Sequence, residues 1–495
     1  MSIVPEEIKA LRPTNFGACE VRAIGGHYYV YPFSCKYQKD TKKRKKITGK
    51  MIGKITLADG FIPNKYGLEL LKKQKPVEEV SDTVVTAKSY GAYKLLDSIS
   101  PDIYQKLKDF FPDCFREIRA FSLIRLIDKV SPKLVKDFFE RSIFSELSPD
   151  IGTSEATVRK FISSLGERGD DINAMMSSYI NKESVLLFDG TTMFTRMNDS
   201  LAAKGYNPNH KSSTQSRILY IFDQVSHKPL FYKILQGSIV DKKAFIDIIV
   251  ESGCYKSNSL VIADKGFYST KNVSFLKNDG LSYILPLQSN TALIDQEFYA
   301  NTDDNKFNGV FSYHKRAIYH YKRKCGENWV YIFRDDNRRA DLKAHFVEKA
   351  EANYDEDKYK PMDVVNEIRL GYFAFVSNLD EDPKEIYLKY KQRWDIEECF
   401  DYLKNNVMVS APYAHDNSYF RGVTFLNHIS LLYYYGLIKR IKDSSLKDKY
   451  TPDEIIKLTR EIEKITLNEK EYISGMTKRV KDILTELDAD VVRNF

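Results

Sequence analysis

The spacing of hydrophobic residues changes several times along this chain, and each change predicts a different kind of element. Up to about residue 75 the apolar positions alternate. The run His27-Tyr28-Tyr29-Val30-Tyr31 is rich in β-formers and predicts a strand, residues 47–55 predict a second, and Asp59-Gly60 is a turn signal. From about 88 to 181 the period becomes helical, with predicted helices at 101–111, 115–130 and 132–142. Ser154 is a candidate N-cap for a further short helix. Val158, Phe161, Ile162 and Leu165 follow at i, i+3, i+4 and i+7 spacing, and Gly166 is read as its end.

From 185 the pattern changes again. Strands are predicted at 185–188, 217–223, 229–235, 259–263 and 282–287, and helices at 241–252 and 270–278. Three strands, a helix, a strand, a helix and a strand make an α/β core with a mixed sheet. Residues 289–380 interrupt it with β-like stretches at 307–320 and 329–333, a charged helix at 338–353 and a strand at 371–377. A long helix is predicted at 383–407 and an apolar helix at 425–441. Thr451-Pro452-Asp453-Glu454 has the pattern of a capping box with proline at the first helical position.

These shifts divide the chain into six regions. Residues 1–75 are a β-hairpin region with a basic arm, and 76–181 are helical, with a candidate helix-turn-helix. An α/β core is split into 182–288 and 381–430, with an insertion at 289–380, and 431–495 form a helical tail.

Composition changes this picture mainly through where the charge lies. The formal net charge is +8. Residues 36–54 hold nine Lys/Arg and one Asp, a local +8, so the remaining 67 basic and 67 acidic residues cancel. One basic segment on a neutral body suits an anchoring arm for a polyanion, with Lys42, Lys43, Arg44, Lys45 and Lys46 at its centre. The alternatives are a solvated loop or a nuclear-localisation-like run. In the 154–166 helix, Arg159, Lys160, Ser163 and Ser164 lie on the outer face. That face could read DNA as the second helix of a helix-turn-helix, or the helix could simply pack.

No run of about 18 apolar residues predicts a membrane span. The first residues lack a basic-then-apolar leader, so the protein is expected in the cytosol, with DNA. The six cysteines form no C-x-x-C pair and the eight histidines show no H-x-x-x-H spacing, which argues against zinc and for reduced thiols.

The candidate chemistry lies in three carboxylates. Asp189 and Asp264 each end an apolar strand run and are followed closely by glycine. A third acidic group lies in YKQRWDIEECFDYLK, residues 390–404. A lone aspartate after a strand is usually a turn or cap residue. Two in one predicted sheet, with an acidic residue on a later helix, suit the hard-oxygen ligand set of two divalent ions that act on a phosphodiester.

The spacing Tyr390, Arg393, Glu397, Lys404 matches the Tyr-Arg-Glu-Lys signature of the insertion-sequence-four superfamily of DDE transposases, and Trp394 sits where some members carry tryptophan. Asp189-Gly190-Thr191 resembles the family's first-aspartate motif. Asp264-Lys265-Gly266-Phe267 resembles its second, with Lys for Arg. Gly205-Tyr206-Asn207, Pro229-Leu230, Gly237 and Asp241 resemble the stretches between.

The resemblance implies a ribonuclease-H-like core with a β-rich insertion, and Asp189, Asp264 and Glu397 as ligands of two Mg²⁺ ions, with Mn²⁺ as a substitute. It implies phosphate contacts from Tyr390, Arg393 and Lys404, and a flipped base held by Trp329, Trp394 or both, against the plainer reading of core packing. The expected function is cleavage and strand transfer at terminal inverted repeats on double-stranded DNA. A homodimer on paired ends, in a bacterial nucleoid, is expected to do this, by cut and paste. Two rival readings are a ribonuclease-H-fold nuclease that does not integrate and a domesticated DNA-binding protein. On a continuous helical wheel, Tyr390, Arg393, Glu397 and Lys404 share one stripe, and Glu398 points away from it.

Overall fold

The alternating segment at the start of the chain forms a five-stranded antiparallel sheet: β1 Cys19–Ile24, β2 His27–Gln38, β3 Lys43–Thr48, β4 Gly53–Thr56 and β5 Gly60–Pro63. In this computed structural model the described residues are 4–38, 43–73, 85–181, 183–194, 200–204, 214–239, 241–288, 291–294, 296–301, 303–352, 369–393, 396–397, 402, 416–489 and 491. By its contacts the chain divides into residues 1–83 and 84–495.

In the first unit, β2 is long enough to pair with three strands. The expected single strand at 47–55 is two, β3 and β4, with Gly49 between them donating its N–H to Pro32. Gly60 takes φ +67° at the expected turn into β5. Ile8, Cys19, Val30, Ile52 and Ile55 form this unit's small buried core.

The second unit opens with β6 Val85–Ser89. It continues through helices at Gly91–Ile99, Pro101–Phe110, Phe115–Asp128, Val135–Arg141 and Glu155–Glu167. Ser154 caps the last of these, accepting the Thr157 N–H. Gly166 does not end it. The helix runs on to Glu167, and Gly166 instead lets it cross the 26-residue helix Asn417–Lys442 at close range.

A Cβ on Gly166 would lie 1.8 Å from the Ser418 carbonyl oxygen, and one on Gly422 would lie 1.9 Å from that of Ile162. Backbone cannot yield as a side chain can. Gly166→Ala is therefore expected to destabilise this unit by about 1–3 kcal/mol or more, read as a lower urea midpoint. The long helix is buried almost all round, as a central core helix must be. The 155–167 helix therefore packs on the core. Lys160 remains exposed, while Arg159 pairs with Glu155 and lies over the Tyr419 ring.

Residues 185–377 form one ten-stranded mixed sheet among the described residues. Its strands are β7 Val185–Phe194, β8 Ala203–Lys204, β9 Thr214–Asp223, β10 Lys228–Gln236, β11 Leu260–Ala263, β12 Ser282–Leu287, β13 Gly309–Tyr313, β14 Arg316–Cys325, β15 Asn328–Asp335 and β16 Tyr372–Ser377. The spatial order is β10-β9-β7-β11-β12-β16-β15-β14-β13, with β8 on β9. β7, β11 and β12 are mutually parallel, and the other neighbours are antiparallel. The strands of 289–380 thus extend the core sheet, because β16 bonds to β12 on one side and β15 on the other. A smaller sheet joins β6 to β17 Glu463–Leu467 and β18 Lys470–Ile473, and the capping box at Thr451 and Glu454 is formed.

The expected helix at 383–407 is observed as Pro383–Lys391. The chain turns at Gln392 and Arg393 and is helical again at Ile396 and Glu397. A constant turn per residue therefore cannot be carried from Tyr390 to Lys404. Helix propensity is worth under about 0.7 kcal/mol per ordinary residue. The charge-assisted bond that Arg393 makes to Asp189 is worth roughly 1.5–3 kcal/mol and outweighs it.

Candidate active site

Two aspartates meet because two strands run parallel in register. Phe188 on β7 pairs with Ala263 on β11, so Asp189 and Asp264 each follow at the same level. Asp189 lies within β7, with the Gly190 N–H donating to its Oδ1 at 2.7 Å. Asp264 lies just past β11. A single 3-10 turn, Lys265–Phe267, follows it, and buried Phe267 anchors that turn against Phe245 at 5.2 Å between ring centroids. These contacts anchor the Asp-Lys-Gly-Phe run where the carboxylate leaves the sheet.

The third carboxylate arrives through Arg393. Its Nη1 lies 2.9 Å from Asp189 Oδ2, and its Nη2 lies 2.6 Å from Glu397 Oε1 and 3.8 Å from Asp264 Oδ1. One guanidinium thus bridges two parallel strands and the helical segment. The helical i,i+4 pair with Glu397 is present, but the same group also spans to both aspartates, which a surface ion-pair ladder would not do. Arg393 also lies over the Tyr390 ring, which itself packs against Phe375 at 4.4 Å between ring centroids.

As placed, no three His, Cys, Asp or Glu side chains among the described residues form a metal-holding group. Arg393 stands between the three carboxylates. Three carboxylates against one guanidinium leave a formal charge of −2 at this point.

Burial pushes the Asp189 carboxyl up to about 6. Arg393 and the Gly190 N–H pull the other way, and Asp264 and Glu397 add to the rise. Between its ordinary value and about 6, the folded protein holds a proton here that the unfolded chain has released. The stabilisation linked to that proton is complete below the ordinary value and lost as pH rises through about 6. In metal-free protein, Asp189→Asn is therefore expected to flatten the fall in urea midpoint between about pH 4 and 6. An unchanged slope would place the titration elsewhere.

A cavity of about 490 Å³ opens beside the carboxylates. It is lined by Asp264, Glu397 and Arg393, by the cations Lys265, Arg338, Arg369 and Lys391, and by rings including Tyr390 and Phe375. Arg338 and Arg369 were not legible as site residues. They come from the segment joining β15 to β16, and only the non-local pairing of those strands brings them here. Lys391 had a local signal, as the neighbour of Tyr390.

The remaining expected residues fall elsewhere. Trp329 is half-buried on β15, with the ammonium groups of Lys322 and Lys324 at 4.6 and 5.8 Å from its ring, and it does not line this cavity. Lys45 and Lys46 lie on β3. Lys43 and Arg44 pair there with Gln38 and Tyr37. Lys42, Trp394, Glu398 and Lys404, and the Gly205-Tyr206-Asn207 stretch, lie outside the described residues.

Comparison with known proteins adds a match to one family model. Residues 180–411 match the family model described as a transposase DDE domain. That span contains all three carboxylates and the ten-stranded sheet. No curated protein matches the chain.

Among solved structures, it is similar to the piggyBac transposase synaptic complex with hairpin DNA, at 13% identity and TM-score 0.41, covering 80% of this chain and 84% of that one. A pre-cleavage Mos1 transpososome overlaps at 8% identity and TM-score 0.15, over 33% of this chain and 57% of that one. A Mos1 transposase paired-end complex with the left transposon end overlaps at 12% identity and TM-score 0.15, over 34% and 56%. No described helix is long and apolar enough to cross a membrane.

Proposed function

We propose that this chain is a DNA transposase that cleaves and rejoins strands at the ends of its element, with Asp189, Asp264 and Glu397 as the catalytic carboxylates. The observation that carries this reading is their convergence on one guanidinium from two in-register parallel strands and a helical segment. The strand order β10-β9-β7-β11-β12, antiparallel then parallel, supports reading the core as ribonuclease-H-like. The match over residues 180–411 supports the transposase class.

The donor set fits divalent cations in its chemistry: three hard oxygen ligands with two negative charges uncompensated. Arg393 now stands in the space between them. Asp189, Asp264 and Glu397 would hold Mg²⁺, or Mn²⁺ in its place, and bound ions would activate the attacking oxygen and stabilise the leaving one. Arg393 supplies the cation that keeps three carboxylates together in the bare site. Released from them, its planar fork suits a phosphate of the DNA backbone. Tyr390 positions that guanidinium from below. Lys265, Arg338 and Lys391 give the adjoining cavity the charge to hold a second stretch of backbone. Cut-and-paste movement by a homodimer on paired double-stranded ends belongs to the same proposal.

Separate glutamine substitutions test the assignment. Glu397→Gln is expected to abolish Mg²⁺-dependent cleavage of a cognate end, and Glu398→Gln to leave it near normal. The reverse result would overturn the choice of third carboxylate. Cleavage unaffected in both would remove the reading.

A further inference from the structure

The antiparallel sheet of residues 1–83 has one face on its own core and one face without such cover. Val30, Ile52 and Ile55 are buried, and Tyr28 packs with them. The alternate residues of β2, Tyr29, Tyr31 and Phe33, point to the opposite face, and none of the three belongs to a buried core cluster. The register sets their neighbours. Arg22 and Lys54 lie opposite Tyr29, Glu20 opposite Tyr31, and Thr48 opposite Phe33. The Arg22 guanidinium lies 4.9 Å from the Tyr31 ring centroid, and Lys46 Nζ lies 4.1 Å from that of Phe33. Glu20 pairs with both cations and is the one carboxylate among these residues, against Arg22, Lys46 and Lys54.

We propose that this face is a stacking platform for unpaired nucleotides. Three half-buried rings in a row along one strand, outside the buried core clusters of the described residues, offer flat π-surfaces. Successive rings are about 6.7 Å apart, two strand residues. That is two stacked-base steps of about 3.4 Å. Interleaved cations answer the backbone charge of a single strand, and base–aromatic stacking tolerates any sequence. A duplex keeps its base faces stacked inside, so it presents only phosphates and base edges to such rings. The occupant is therefore single-stranded DNA, or a melted stretch of it, taken by ring stacking. This role differs from the one expected of the basic hairpin, whose lysines would contact phosphates. Nothing in it depends on the carboxylate site.

Binding of labelled oligothymidylate and of a duplex of equal length by the full chain, followed by fluorescence anisotropy in EDTA, tests the proposal. Tyr31→Leu keeps apolar bulk and removes the π-face. It is expected to weaken oligothymidylate binding about tenfold, within the range for one stacked base. Duplex binding is expected to change by less than about twofold, and the salt slope to stay the same because no phosphate contact is lost. Tyr31→Phe, which keeps the ring, is expected to bind as the parent does. Equal losses for both DNAs, or no loss for either, would overturn the platform.

Photocrosslinking of iododeoxyuridine-containing oligonucleotides to the unmodified chain reads the same contact without a variant. Adducts at Tyr29, Tyr31 or Phe33 are expected, and adducts confined to other residues would sink the idea. Because EDTA removes divalent ions, these outcomes are independent of whether the protein cuts DNA.

Discussion

Asp189→Asn and Asp264→Asn are each expected to abolish cleavage of a cognate DNA end while leaving binding to that end largely intact. Asp189 is the most enclosed of the three carboxylates and is held by its own strand, by the Gly190 N–H and by Arg393. Asparagine keeps its shape and removes its charge. With one carboxylate neutral, the site's formal charge falls from −2 to −1, and a divalent ion loses an anionic ligand. The loss in rate should at least match the roughly 10²–10³-fold that follows removal of a single preorganised electrostatic contact. Under the proposed function most DNA contacts lie beyond these two side chains, so gel-shift affinity should move little. Equal loss of binding and cleavage in a protein with an unchanged melting curve would refute this division of roles.

The second large effect is expected in the hairpin. Replacing Lys42, Lys43, Arg44, Lys45 and Lys46 together by alanine should weaken binding to every DNA tested. If five phosphates are contacted, the log–log salt slope should become shallower by roughly 4 to 5 units. The structure adds a reason. Lys36 and Lys45 are paired directly across β2 and β3, and like charges placed so are destabilising on their own. A polyanion laid along the hairpin would offset that cost. A salt slope identical to the parent's would mean the hairpin does not touch DNA.

Much of the fold was legible because local periodicity and tertiary demand agree in it. The strand at 282–287, the helix at 241–252 and the N-cap at Ser154 follow from alternation, amphipathic spacing and capping chemistry alone. Asp264 was legible as a strand end, whereas Asp189, read the same way, lies inside β7, which runs on to Phe194. That they stand side by side required the parallel register of Phe188 with Ala263, which no local pattern encodes.

The departures occur where a long-range contact outweighs a local preference. Gly166 reads as a helix stop, yet its lack of a side chain serves a helix crossing with residues more than 250 positions away. The 383–407 segment reads as one helix, yet it turns at Arg393, whose side chain reaches Asp189 and Asp264. Residues 289–380 read as an interruption, yet their strands extend the core sheet, because edge pairing depends on partners and not on sequence distance.

The pairing of β15 with β16 has a practical consequence. Arg334 and Tyr372 are register partners across β15 and β16, so the sheet itself holds together the two ends of the 37-residue connection between them. Closing a loop costs only about 0.6 kcal/mol more for each doubling of its length, so extra chain placed there is cheap. A break there also sorts the chemistry by fragment. Asp189 and Asp264 stay on the amino-terminal piece, and Arg393 and Glu397 go with the carboxy-terminal one. Neither half carries a complete set of carboxylates, and the sheet's own hydrogen bonds template their reunion. Under the proposed assignment, the connection is thus a place to split the protein into two parts that each lack a complete carboxylate set.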